Sequence, residues 1–190
     1  MINSIPILTN ALSTLKETSK SNHSGTVEYM TTSTLPAIDF DNVKNNYIKP
    51  LSVPETPKSS DALYIKGEDE MYLIEFKSGE MDTKKIYDVR LKIFDSLLIL
   101  TDILGIGISH TRQNLNYILV YNLSKNPPKE ESDNAQISLS RTSIKKHFLK
   151  KGKNRLIEWS LGRFEKLYFK DVYTVTKDEF ENEFVNMWQI

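Results

Sequence analysis

Ser60-Asp61-Ala62-Leu63-Tyr64-Ile65-Lys66-Gly67-Glu68-Asp69-Glu70-Met71-Tyr72-Leu73-Ile74-Glu75-Phe76-Lys77-Ser78-Gly79 decides how the chain is read. Two runs rich in Tyr, Ile, Leu and Phe flank a polar turn containing Gly67, which is the signature of a β-hairpin. Pairing Lys66 with Glu70 sets Ile65 opposite Met71, Leu63 opposite Leu73 and Asp61 opposite Glu75. Side chains alternate along a strand, so Asp61, Glu75 and Lys77 share one face with Leu63, Ile65, Met71 and Leu73. The other face carries Ala62, Tyr64, Tyr72, Ile74 and Phe76. Both faces are apolar away from the turn, as in a strand pair covered on both sides.

Two carboxylates directly opposed at the end of a covered hairpin repel each other. A divalent cation held between them removes that penalty, and oxygen ligands suit Mg²⁺. The other reading makes Asp61 a cap of its strand, with Glu75 and Lys77 reaching solvent as a loose pair.

An Asp at the head of one strand, a hairpin, and Glu-x-Lys near the end of the next resembles the PD-(D/E)XK nuclease superfamily. Asp61 and Glu75-Phe76-Lys77 match its motif; Ser60 stands where a Pro usually precedes the Asp, and Pro57 lies three residues earlier. The resemblance covers about residues 58–122. It implies a restriction-endonuclease-like fold in which Asp61 and Glu75 bind Mg²⁺, with Mn²⁺ as a substitute. Lys77 then positions the attacking water or offsets charge on the phosphate. It also implies an early helix that sometimes carries an acid to the metal. Glu17 and Glu28 are the acids available for that, or else are solvated surface residues.

Working outward, Asp82 is a plausible N-cap for a long helix ending at Gly105. Ile86, Val89, Ile93, Leu97, Leu100 and Leu104 form one apolar stripe, and Tyr87, Phe94 and Leu98 a second, so the helix reads as well covered. Lys84, Asp88, Lys92, Asp95 and Asp102 read as its solvated face. Arg90 projects between the apolar stripes and must find an acceptor. It is either a structural guanidinium or a phosphate contact, with Lys84 and Lys85 behind it. Residues 116–123 read as a buried strand that completes a β-α-β passage and pairs in parallel by a right-handed crossover. His110, Arg112 and Gln113 fall in the loop before it, where a solvated histidine is the expectation.

Upstream, Leu12 and Leu15 suggest a short helix over about residues 9–19, and residues 27–30 a short strand. A helical turn or two follows between Asp39 and Ile48, with Asp41 as N-cap. Pro50, Pro54 and Pro57 then make an extended connection into Asp61. Downstream, residues 126–134 form a surface loop. Arg141, Lys145, Lys146, Lys150, Lys151, Lys153 and Arg155 follow, with no acid between them. This run is either a phosphate-tracking patch or a solvated helix face. Residues 165–175 read as a strand. Thr176-x-x-Glu179 is a capping box opening a last helix with Phe180, Phe184 and Trp188 on one side.

The chain has 190 residues, 39% hydrophobic and 26% charged, with zero net charge and no Cys. One domain is expected, with core 58–122 and a C-terminal strand and helix at about 165–188 packed on it. Disulfides and thiol chemistry are excluded. No stretch has the length of a membrane span or the order of a secretion signal, so a cytoplasmic location is the default. The expectation is an α/β (α+β) fold with a central mixed sheet flanked by helices. Its function is a Mg²⁺-dependent nuclease reaction, on DNA ahead of RNA, in a bacterial or mobile-element setting. A homodimer or a protein partner is compatible with it. The alternative is a non-catalytic nuclease-fold protein serving as an immunity or regulatory partner.

Overall fold

A computed structural model describes residues 5–23, 26–67, 69–127 and 157–189. The hairpin at its centre consists of β5 (Ala62–Lys66) and β6 (Glu70–Lys77), with Gly67 in the left-handed region at φ 64°. Its register runs from Lys66 opposite Glu70 to Ala62 opposite Ile74, as the alternation predicts. From Met71 to Phe76 every β6 residue is buried, so both faces of the strand are covered. Gly79 and its neighbours turn the chain into α4 (Thr83–Leu104). Asp82 caps that helix by accepting from the Lys85 N–H, and Gly105 ends it at φ 63°.

β7 (Leu115–Tyr121) then pairs with β6 in parallel, placing Glu75 beside Leu119 and Lys77 beside Tyr121. The residues before it are helical rather than a loop: α5 spans Ile108–Asn114 and contains His110, Arg112 and Gln113. His110 lies against Asn114. β8 (Val172–Thr176) extends the sheet in parallel beyond β7.

The N-terminal part supplies the rest of the sheet. The expected helix over residues 9–19 is broken into α1 (Pro6–Thr9), β1 (Leu12–Thr14) and α2 (Leu15–Thr18). Thr14 ends β1 and caps α2, accepting from the Glu17 N–H at 3.2 Å. β2 (Lys20–His23) and β3 (Thr26–Tyr29) form a separate two-stranded sheet. β4 (Pro36–Asp39) lies between β1 and β5. α3 (Phe40–Ile48) follows, capped by Asp39 rather than Asp41. The main sheet therefore has the order β1-β4-β5-β6-β7-β8, a mixed six-stranded sheet.

Each face carries its own core. Leu63, Met71, Leu73, Leu115, Tyr117 and Leu119 pack under α4 together with α1, α3 and residues 161–169. Tyr64, Tyr72, Ile74, Phe76, Ile118 and Val120 pack under α2 and the C-terminal helix. That helix opens with the expected capping box as α6 (Lys177–Phe180). It runs through a π-helical turn, Glu181–Val185, into α7 (Asn186–Trp188). The expected strand over 165–175 is shortened. Lys166 takes φ 61°, and residues 164–169 close a turn through Tyr168 N–H to Phe164 O (3.0 Å) and Lys166 N–H to Phe169 O (2.8 Å).

Asn126 fastens the exit from β7. Its Nδ2 donates to Gly79 O and to Asn122 O at 3.0 Å each, and its Oδ1 accepts from Met81 N–H at 2.7 Å. Among the described residues no helix is long and apolar enough to cross a membrane.

Candidate active site

Asp61 precedes β5 by one residue and prolongs its ladder. Its N–H donates to Ile74 O at 3.0 Å, and its Oδ2 accepts from Phe76 N–H at 2.6 Å. The carboxyl is thereby set opposite Glu75, as the hairpin register requires. Glu75 lies on the α4 side of β6 and is wholly buried; its Oε1 accepts from Lys77 Nζ at 2.6 Å. Lys77, at the end of the strand, keeps 21% of its side chain exposed. Asp61, Glu75 and Lys77 therefore meet at one place, beneath the N-terminal half of α4.

A fourth charged residue completes the cluster, and the reading of α4 as having a solvated polar face missed it. Lys92 Nζ lies 3.0 Å from Asp61 Oδ1 and 2.7 Å from Glu75 Oε1, bridging the two carboxylates. The polar face of α4 is turned onto the extended connection before β5 and onto α3. Asp95 accepts from Lys58 N–H at 2.8 Å, and Asp88 pairs with Lys58 Nζ at 3.0 Å. Ser96 Oγ accepts from the buried Ser60 N–H at 2.7 Å, and Asp102 accepts from Tyr47 at 2.8 Å. An extended segment that follows a run of prolines needs partners for its backbone N–H groups. Short polar side chains on a facing helix are the available source, and that need was the signal for Asp95 and Ser96. The second apolar stripe also departs from expectation: Tyr87 is 60% and Leu98 63% exposed, while Phe94 packs edge-on against Phe164 and Tyr168.

The charges act on each other. Burial, followed by the neighbouring Glu75 charge, pushes the Asp61 carboxyl up to about 7; Lys92 and Lys77 pull it the other way. For Lys92, burial opposes the charged form. The attraction of Glu75 and Asp61 and its hydrogen bonds to both outweigh that, and the ammonium is held above the ordinary lysine range. The Tyr117 phenol is buried beside Ser60 and pushed well above its usual value by burial and then by the charges of Glu75 and Asp61. Among the described residues, neither the Tyr117 hydroxyl nor Glu75 Oε2 has a well-formed hydrogen bond.

These oxygens suit a divalent cation. Two carboxylates already converge on one cationic centre, the Lys92 ammonium, and Glu75 keeps a second oxygen without a donor. Among the described residues no group of three or more His, Asp or Glu side chains gathers at one point.

The remaining expected site residues lie apart from the cluster. Arg90 donates to Trp159 O at 3.1 Å, and no hydrogen bond or ion pair among the described residues joins it to Asp61, Glu75 or Lys77. Lys84 is exposed on the first turns of α4. Glu17 is exposed, and Glu28 pairs with Lys177 at 2.6 Å. Lys145, Lys146, Lys150 and Lys151, with the rest of the basic run, lie outside the described residues. No protein-family model, curated protein or solved structure matches the chain.

Proposed function

We propose that the protein is a divalent-cation-dependent nuclease hydrolysing phosphodiester bonds, with DNA as its substrate. The observation that carries this reading is the convergence of Asp61, just before β5, with Glu75 and Lys77 of β6 at one partly accessible point. Asp61 and Glu75 are the residues that would hold Mg²⁺, or Mn²⁺ in its place. When bound, the cation supplies Lewis acidity toward a phosphate oxygen and acidifies water.

The chain's own residues account for the rest. The Phe76 N–H fixes one oxygen of Asp61 and leaves the other facing Glu75. Glu75, buried in the sheet, is rigidly placed. Lys77 reaches from the buried carboxylate to the surface, where its ammonium offsets the charge of an incoming phosphate and orients the attacking water. The strand pair that carries the motif and the long helix directly after it support this reading.

A second reading, a nuclease-like fold that acts by binding another protein, is favoured by one feature. Two ammonium groups already face the two carboxylates, so the cluster has counterions without a further ion. Calorimetric titration of Mn²⁺ into the wild type and Asp61→Asn, beside a cleavage assay on mixed DNA and RNA, decides between them. The nuclease reading expects Mn²⁺ binding that Asp61→Asn abolishes. It also expects cleavage to be lost in Glu75→Ala and Lys77→Ala, with the fold retained by circular dichroism. Undiminished cleavage by Lys77→Ala overturns the mechanism, and absence of any Asp61-dependent binding favours the protein-binding reading.

A further inference from the structure

Lys92 stands where a cation ligated by Asp61 Oδ1 and Glu75 Oε1 would stand. Its Nζ is 3.0 Å from one oxygen and 2.7 Å from the other. A divalent ion bound by the same two oxygens cannot share that position with an ammonium. It would also add its charge to a cluster in which Lys77 and Lys92 already pair with the carboxylates, in a place where excess charge is poorly tolerated. Without Lys92, in turn, two carboxylates that repel each other would share only Lys77.

The geometry of the side chain gives it somewhere to go. Lys92 is 19% exposed, so its flexible four-carbon stem already reaches solvent. Its helix need not move with it, because Asp88, Asp95 and Ser96 tie α4 to the segment 58–60 independently of Lys92.

We propose that Lys92 is a resident counterion. It holds Asp61 and Glu75 together in the cation-free protein and is expelled toward solvent when a divalent cation binds between them. The inference rests on reading Asp61 and Glu75 as a divalent-cation site. It makes Lys92 a positioning residue that sets the cation affinity, not one that touches substrate.

Two measurements on the full chain test it. In the first, Mn²⁺ is titrated calorimetrically into the wild type, Lys92→Met and Lys92→Arg. Removing a like charge from the site is expected to tighten Mn²⁺ binding in Lys92→Met by about tenfold or more, whereas Lys92→Arg, which keeps the charge, gains nothing comparable. In the second, surface amines of the wild type are acetylated with and without saturating Mn²⁺ and mapped by mass spectrometry. Acetylation of Lys92 is expected to rise severalfold with Mn²⁺, while that of exposed Lys84 stays constant. This measurement decides the matter should Lys92→Met fail to fold.

Equal or weaker Mn²⁺ binding by folded Lys92→Met overturns the inference. So does unchanged labelling of Lys92 at saturation. If the wild type binds Mn²⁺ through Asp61 but Lys92 behaves in this way, the counterion role fails and the nuclease reading stands. If Lys92→Met binds more tightly while no nucleic acid is cleaved, the counterion role stands and the nuclease reading fails. If neither protein binds Mn²⁺, both fail together.

Discussion

At Asp61, burial and the neighbouring charges act against one another. Burial and the Glu75 charge raise its carboxyl to about 7, against the combined pull of Lys92 and Lys77. The unfolded carboxyl titrates near its ordinary value of about 4. The contribution of this group to stability is thus fully present below that value and is lost as pH rises through about 7. A ¹³C-detected carboxyl titration is expected to find the Asp61 midpoint near neutrality in the cation-free wild type. In Lys92→Met the midpoint moves higher still, since a group that lowers it has been removed. A midpoint near 4 in both proteins would mean that the carboxyl is open to water and outside the cluster. Asp61, Glu75 and Lys77 could be placed from sequence because alternation along a hairpin assigns faces once the turn is known. Lys92 could not be placed that way. It belongs to the site through a contact between a helix and a strand pair, and a charge on the polar side of a helix reads the same whether water or carboxylates lie opposite.

The same limit shows in the elements. The hairpin and α4 were legible because their ends are marked by local chemistry: Gly67 in the turn, Asp82 at one end of the helix and Gly105 at the other. β7 was legible from the apolar run Tyr117–Tyr121, and the whole strand from Leu115 to Tyr121 is buried, Asn116 included. Residues 9–19 were not, because the spacing of Leu12 and Leu15 mimics a helix. Pairing of Leu12 with Ile38 across the sheet and the cap at Thr14 divide the segment instead. The polar face of α4 was misread at Asp88, Lys92 and Asp95 for want of their partners, the extended connection before β5 and the hairpin carboxylates; Lys84 and Asp102 are exposed as expected. Ser96 shows what that face does. It accepts from the buried Ser60 N–H at 2.7 Å and sits 3.3 Å from the Ser60 hydroxyl, one residue before Asp61. Ser96→Ala leaves that N–H buried without an acceptor and is expected to cost about 1–3 kcal/mol of stability in urea denaturation. A loss within error of zero would show that the connection finds another acceptor, and that α4 does not hold Asp61 in place through this contact.

At the scale of the whole molecule, the sheet separates two cores that serve different ends. The α4 side holds the charged cluster, whereas the opposite side is an aromatic packing layer closed by the C-terminal helix. There Trp188 stacks on Tyr64 at 4.0 Å between centroids, and Phe184 meets Tyr72 and Tyr173 edge-on. Phe184 is 6% exposed, and Phe184→Ala is expected to destabilise the fold by about 3–5 kcal/mol in equilibrium denaturation. A loss below about 1 kcal/mol would show that the layer repacks around the gap, contrary to the usual behaviour of a tightly packed core. The two edges of the remaining sequence are equally well secured. Asn126 binds the chain after β7 to the turn carrying Gly79 and Met81. On the return, the Glu158 N–H donates to the Thr174 hydroxyl at 3.0 Å and Trp159 O receives Arg90. The described residues on either side of 128–156, Asn126 and Glu158, are thus both hydrogen-bonded to the framework. Each clasp holds its own end of the framework by bonds internal to it, so neither depends on the sequence that joins them.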